Sequence, residues 1–215
     1  VEDVGGNYHG SHVAGTIAAK NNGRAINGMG VKALPIKVLG KDGGSFQGII
    51  EATKYAMGLS NSSGSAYTSN TNKVVAINMS LGACGESVTF CNALTNLVEQ
   101  TGIPIIAAAG NCTCNKVYSP AFCPEVSIPA SCEGVISVAA TDAENIRAYY
   151  SSYHPSVDIA GPGGDTSIDK NNDGFPDGIL SFTGDSKMGM KEGTSMASPH
   201  VAAAVALMQV ANSDL

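Results

Sequence analysis

Three residues far apart in the chain, His9, Asn111 and Ser195, have types that could work together. Ser195 lies in Gly193-Thr194-Ser195-Met196-Ala197-Ser198-Pro199-His200, which leads into an Ala-rich apolar run reaching Val210. Beyond Pro199 the run has no Gly or Pro and reads as a buried helix. Pro199 suits the first turn of that helix, where a missing N–H costs nothing. Ser195 is thereby placed at the helix N-terminus. A serine there is ordinarily a cap. It could also be a nucleophile, because the free N–H groups and positive end of a helix can stabilise an oxyanion. A serine hydroxyl attacks only when a base takes its proton, and an imidazole titrates in the right range. His9 opens a segment whose Val13, Ala14, Ile17 and Ala18 follow helical spacing. Asn111, just past an apolar strand, could offer its amide to a tetrahedral intermediate alongside the Ser195 N–H.

These residues need a scaffold. Residues 74–79, 103–109 and 135–140 are almost continuously apolar, as strands covered on both faces should be. Residues 34–39 read as a further strand because Ile36 and Val38 are β-branched. Residues 157–160 and 179–182 are shorter strands. Ser45 caps a helix expected to bury Ile49, Ile50, Thr53, Tyr55 and Met57. A second helix covers 88–100 and stops at Gly102, and the last runs from Ser195 to about Ala211. Residues 60–72 form a polar loop. Alternation of this kind implies an α/β fold: a doubly wound, mostly parallel β-sheet with helices on both faces, in one domain over 1–215. Sites in such sheets form at the carboxyl ends of strands, where Ser80 and Asn111 stand.

Composition narrows the functions. The 215 residues carry a net charge of −6 and no Lys/Arg run, so nucleic acid is not an expected partner. No stretch is long and apolar enough to cross a membrane. The chain starts at Val1 without a visible signal peptide and reads as a mature product or an excised piece. Cys84, Cys91, Cys112, Cys114, Cys123 and Cys132 crowd the middle of the chain and point to disulfides and export. A zinc site is the rival reading, but Cys112 and Cys114 have C-x-C spacing and no nearby His. A Cys84–Cys132 bridge is the expected pairing, with other connectivities open.

Together these segments resemble a known family. The run 193–202 resembles the nucleophile motif of the subtilisin-like serine proteases. His9-Gly10-Ser11-His12-Val13-Ala14-Gly15-Thr16 resembles their catalytic-histidine motif, with Ser11 where Thr is usual. Ala107-Ala108-Ala109-Gly110-Asn111 is similar to their oxyanion-hole segment, and Ile77-Asn78-Met79-Ser80-Leu81-Gly82 to their substrate-binding strand. The motifs occur in the family's order and span nearly the whole chain. The resemblance implies a secreted, monomeric endopeptidase acting on protein or peptide substrates. Ser195 would be the nucleophile, His9 the base, and Asn111 the oxyanion donor. Ser80, Leu81 and Gly82 would pair with the substrate backbone on one side and Gly43 and Gly44 on the other. Leu81, Gly82, Ala107, Ala108, Ala109 and Gly110 would line the first specificity pocket. The family's triad also needs an Asp several tens of residues before the His. Only eight residues precede His9, and Asp3 lies in a polar stretch unsuited to the role. The chain is therefore expected to be an N-terminally incomplete catalytic domain, nearly inactive by itself.

A second signal is independent of the first. In Asp169-Lys170-Asn171-Asn172-Asp173-Gly174, oxygen-bearing side chains alternate and Gly stands sixth, as in a calcium loop. Asp169, Asn171, Asp173 and Asp177 are the expected ligands of a structural calcium, although Leu180 replaces the usual twelfth-position Glu. A solvated acidic turn is the alternative. Other functions are also conceivable. A pseudoprotease that only binds peptides need not keep Ser195, His9 and Asn111 together, and an esterase would show a G-x-S-x-G elbow that is absent here. His12 and His200 read as packed structural histidines and His154 as a loop residue.

Overall fold

Residues 7–23, 26–112, 114, 123, 125–184 and 187–212 are described in the computed structural model. Asp3 lies outside them. The central sheet has four parallel strands in the order β1 (Ile77–Met79), β2 (Ile105–Ala108), β3 (Val135–Thr141) and β4 (Ile159–Pro162). Its two faces are read directly from alternation along β2. Ile105 and Ala107 point into a core with Ile49 of α2 (Phe46–Ala56) and with Phe90, Leu94 and Leu97 of α3 (Val88–Thr101). Ile106 points the other way, into a core with Val138, Ala140, Tyr150, and Ala197 and Ala202 of α4 (Thr194–Ala211). Helices thus cover both faces, as expected for a doubly wound sheet.

Local signals account for the helix ends. Ser45 accepts a hydrogen bond from Gly48 N at 3.0 Å and caps α2. Ser87 caps α3, and Gly102 ends it with φ 67°. The helix α1 (His9–Ala18) starts after Tyr8, which takes a left-handed φ of 49°. Outside the main sheet, β5 (Ile179–Phe182) and β6 (Met188–Lys191) form an antiparallel hairpin.

Several sequence expectations need correction. Residues 34–39 form no strand: no described strand lies beside them to complete a ladder, although Val38 still packs on the core. The strand expected over 74–79 shortens to Ile77–Met79, and that over 157–160 shifts to Ile159–Pro162. The strand β6 was not expected, because Met188-Gly189-Met190-Lys191 has no β-branched residue. The Cys84–Cys132 bridge does not form. The pairs are Cys84–Cys114, Cys91–Cys132 and Cys112–Cys123, with Cα separations of 5.1, 4.9 and 5.2 Å. Cys132 precedes β3 and faces Cys91 on α3, the helix that covers this side of the sheet, so it is not available to Cys84. With all six in disulfides, the zinc alternative also falls.

Candidate active site

The site lies at the carboxyl edge of the sheet, where β1 and β2 end and α4 begins. A cleft of about 360 Å³ there is lined by His9, Asn111 and Ser195, together with Thr166, Pro176, Met190, Lys191, Glu192 and Met196. Three segments far apart in sequence thus converge on one opening.

Ser195 is not the cap of its helix. That position belongs to Gly193, at φ 144°, with no side-chain cap, and Ser195 is the second helical residue. Its hydroxyl lies 3.5 Å from Ser80 O. Pro199 also differs from expectation. It is the sixth helical residue, past the first turn, so the carbonyl four residues earlier, that of Ser195, has no helical N–H to accept. Ser80 Oγ supplies the missing donor at 2.7 Å. Ser80 in turn accepts from Asn78 Nδ2 at 3.0 Å, and Asn78 Oδ1 accepts from Ser198 Oγ at 2.6 Å. This chain of hydrogen bonds ties the end of β1 to both sides of the nucleophile's turn.

Asn111 is held by its carbonyl end. Its Oδ1 accepts from Thr194 N and from Thr194 Oγ1, each at 2.9 Å, and Thr194 Oγ1 accepts from Gly110 N at 3.1 Å. With Oδ1 taken by two donors, Nδ2 is the end of the amide left for the cleft. The first N–H groups of a helix have no intrahelical acceptor, so the Ser195 N–H is a second donor at the same place.

His9 is placed by the hairpin. Ser181 Oγ donates to His12 O at 2.7 Å, and His12 Nε2–H donates to Gly189 O at 3.2 Å, fixing α1 from both hairpin strands. The approach is tight: a Cβ on Gly15 would lie 2.1 Å from Ser181 Oγ. Gly184 gives room to the ring of Tyr8, the residue before His9, and a Cβ there would meet that ring at 2.2 Å. None of this was visible from the His motif itself.

The other sequence candidates are more dispersed. Ser80, Leu81, Gly82, Gly43 and Gly44 are not part of the cleft lining. Gly43 closes an exposed turn with Gly40 at φ 92°. Ala108 and Ala109 are buried at the end of β2. Gly82 and Gly110 share one neighbour that sequence reasoning missed, Ser127. A Cβ on Gly82 would stand 2.9 Å from Ser127 Cβ, and one on Gly110 would stand 2.6 Å from Ser127 Oγ. Larger residues at either position would push these walls apart.

In the loop 169–178, Asp169 accepts from Asp173 N at 3.2 Å and Gly174 N at 3.0 Å, and Asn171 Oδ1 accepts from Asp173 N at 2.9 Å. Asp173 Oδ1 accepts from Phe175 N, and Asp177 Oδ2 from Lys170 N. Among the described residues, no three His, Cys, Asp or Glu side chains come together as a metal-binding group.

His12 and His200 are structural, as expected. Burial holds the pKa of each below its ordinary 6.5. His200 Nδ1–H donates to Met196 O at 2.8 Å. Because the unfolded chain takes up protons first, stability should rise with pH from the folded-state pKa values up to about 6.5 and be lost as pH falls through that window. Urea midpoints between pH 5 and 7.5 should show this slope, and His200→Gln should flatten it.

Comparison with known proteins places the chain. A family profile described as the subtilase family, Peptidase_S8, matches residues 2–215. The chain belongs to the subtilase family. It is 39% identical over 206 residues to an extracellular protease of Xanthomonas campestris pv. campestris, covering 94% of this chain and 32% of that protein. It is 33% identical to subtilisin Savinase of Lederbergia lenta, covering 96% of this chain and 65% of that protein. A solved protease of Pseudoalteromonas arctica superposes with a TM-score of 0.79 at 38% identity, over 97% of this chain and 60% of the other. A cold-adapted subtilisin-like serine proteinase gives 0.67 at 27% identity, over 95% of this chain and 62% of the other. The subtilase therefore spans about a third of the Xanthomonas relative and under two thirds of the others.

Proposed function

We propose that the full-length protein containing this chain is a secreted serine endopeptidase. The observation that carries this reading is the convergence of His9, Asn111 and Ser195 on one cleft, with the Asn111 amide pinned so that its N–H₂ end remains for the substrate. Ser195 Oγ attacks the scissile carbonyl carbon as its proton passes to the His9 imidazole. The carbonyl oxygen becomes an oxyanion that accepts from Asn111 Nδ2 and Ser195 N–H. The C–N bond then breaks, His9 returns the proton to the leaving amine, and an acyl-ester remains on Ser195. Water attacks that ester, its proton going to His9 and then back to Ser195 Oγ as the acid departs. Ser80–Gly82 and Gly43–Gly44 flank the peptide on the acyl side of the bond. Two features support secretion: relatives named as extracellular proteases, and three disulfides.

A fluorophosphonate probe tests the reading. The full-length protein should be labelled at Ser195, and His9→Ala should abolish the labelling. Failure of the folded protein to react would overturn the proposal.

Calcium is the proposed ligand of loop 169–178, through Asp169, Asn171 and Asp173, with Asp177 near by. Each carboxylate that accepts backbone N–H groups keeps further lone pairs for a cation. Calcium should raise the melting temperature of the full-length protein and a chelator should lower it. The same melting temperature in both would remove the site.

A further inference from the structure

Glu192 stands three residues before Ser195, and the catalytic steps above do not use it. Its carboxylate is fully engaged. Oε2 accepts from both Thr166 N and Thr166 Oγ1, the latter at 2.8 Å, and Oε1 accepts from Tyr149 OH at 2.7 Å. The neighbouring backbone is held as firmly. Gly193 N donates to Gly163 O at 3.1 Å and to Tyr150 OH at 2.9 Å, and Tyr150 OH donates to Gly164 O at 2.8 Å. Every one of these acceptors and donors on the far side belongs either to the 163–178 connection between β4 and β5 or to the Tyr149–Tyr150 pair. Among the described residues no cation forms an ion pair with Glu192. Its charge is therefore committed to these hydrogen bonds, which are stronger than neutral ones.

The connection so held contributes Thr166 and Pro176 to the cleft that His9 and Ser195 also line. The segments assigned above to the acyl side, 80–82 and 43–44, are not in this lining. His9, which returns the proton to the leaving amine, does line it, so on the endopeptidase reading a peptide continuing past the scissile bond leaves through this cavity. We propose that Glu192 is a positioning residue: through Thr166 and Tyr149 it fixes the 163–178 connection as the wall that receives the leaving-group side of the substrate. The assignment rests on the endopeptidase reading. Glutamate suits the role because its two oxygens can serve Thr166 and Tyr149 at once. An uncharged side chain without an acceptor would leave the Thr166 N–H and the loop unanchored.

The test compares two substrates in the full-length protein. Both carry the same acyl-side peptide; one ends in a chromogenic amide, and the other extends three residues past the scissile bond. Glu192→Ala should lower kcat/KM on the extended peptide by at least fivefold more than on the chromogenic one, mainly through KM. Glu192→Gln keeps an acceptor for Thr166 and should recover most of that difference. Tyr149→Phe, which removes one hydroxyl from an exposed side chain, should show the same bias more weakly, and serves if Glu192→Ala does not fold. Equal losses on the two substrates, or no rescue by Gln, would make the clamp merely structural and overturn the proposal. Wild-type protein inert toward the chromogenic substrate would instead overturn the endopeptidase reading.

Discussion

Ser195→Ala in the full-length protein should lower kcat by about 10⁶-fold while leaving the melting temperature almost unchanged. The rate figure is taken over from subtilisin, a member of the same family; the stability half comes from the geometry here. If Ser195 were the helix cap, its loss would cost about 1 kcal/mol. The cap is Gly193, and the Ser195 hydroxyl has only a 3.5 Å approach to Ser80 O. The anchoring bonds at this turn are made by the Ser195 carbonyl, which alanine keeps. His9→Ala should cost about as much as Ser195→Ala, and the double variant little more, because nucleophile and base act as one unit. Steady-state kinetics of the three variants, with thermal melts, check both halves. A melting loss of many degrees for Ser195→Ala would return the residue to a structural role.

The parts of this site readable in the sequence are those with short-range signatures. The nearly continuous apolar run of β2 predicts two covered faces, and both cores are present. Gly102 stops α3, and Ser45 caps α2, because each acts within one turn. What escaped is long-range. Ser80 and Pro199 are separated by over a hundred residues. Only in the fold does the carbonyl freed by the proline meet the serine hydroxyl. Ser127 is an unremarkable loop serine until Gly82 and Gly110 close on it. Cysteine pairing depends on which helix lies over which strand, so Cys132 joins Cys91 rather than Cys84. Residues 34–39 carry β-branched side chains but no described strand lies beside them, and propensity alone cannot supply a ladder. The Glu192 clamp joins residues from the β4–β5 connection, the Tyr pair and the nucleophile's turn, and nothing in any one of them announces the others.

Asn111→Ala should lower kcat by about 10²–10³-fold, equivalent to about 2.7–4 kcal/mol, with little change in KM. That range again comes from the corresponding loss in subtilisin. The orientation of the amide makes the effect specific to the transition state. Thr194 N and Oγ1 both donate to Oδ1, so rotating the amide to present oxygen to the cleft would set Nδ2 against two donors. The N–H₂ end is therefore fixed toward the cleft before substrate arrives, and it gains most when charge develops on the carbonyl oxygen. Asn111→Asp separates this from simple loss of shape. One aspartate oxygen can keep both Thr194 bonds, while the other would face the oxyanion with like charge. It should therefore be at least as damaging as alanine, although it is the closer match in volume. Thr194→Val removes one of the two anchors and the acceptor for Gly110 N, and should give a smaller loss in kcat. If Asn111→Asp retained wild-type turnover, the donor would have to be some other group, and the oxyanion would have to be placed on the opposite side of Ser195.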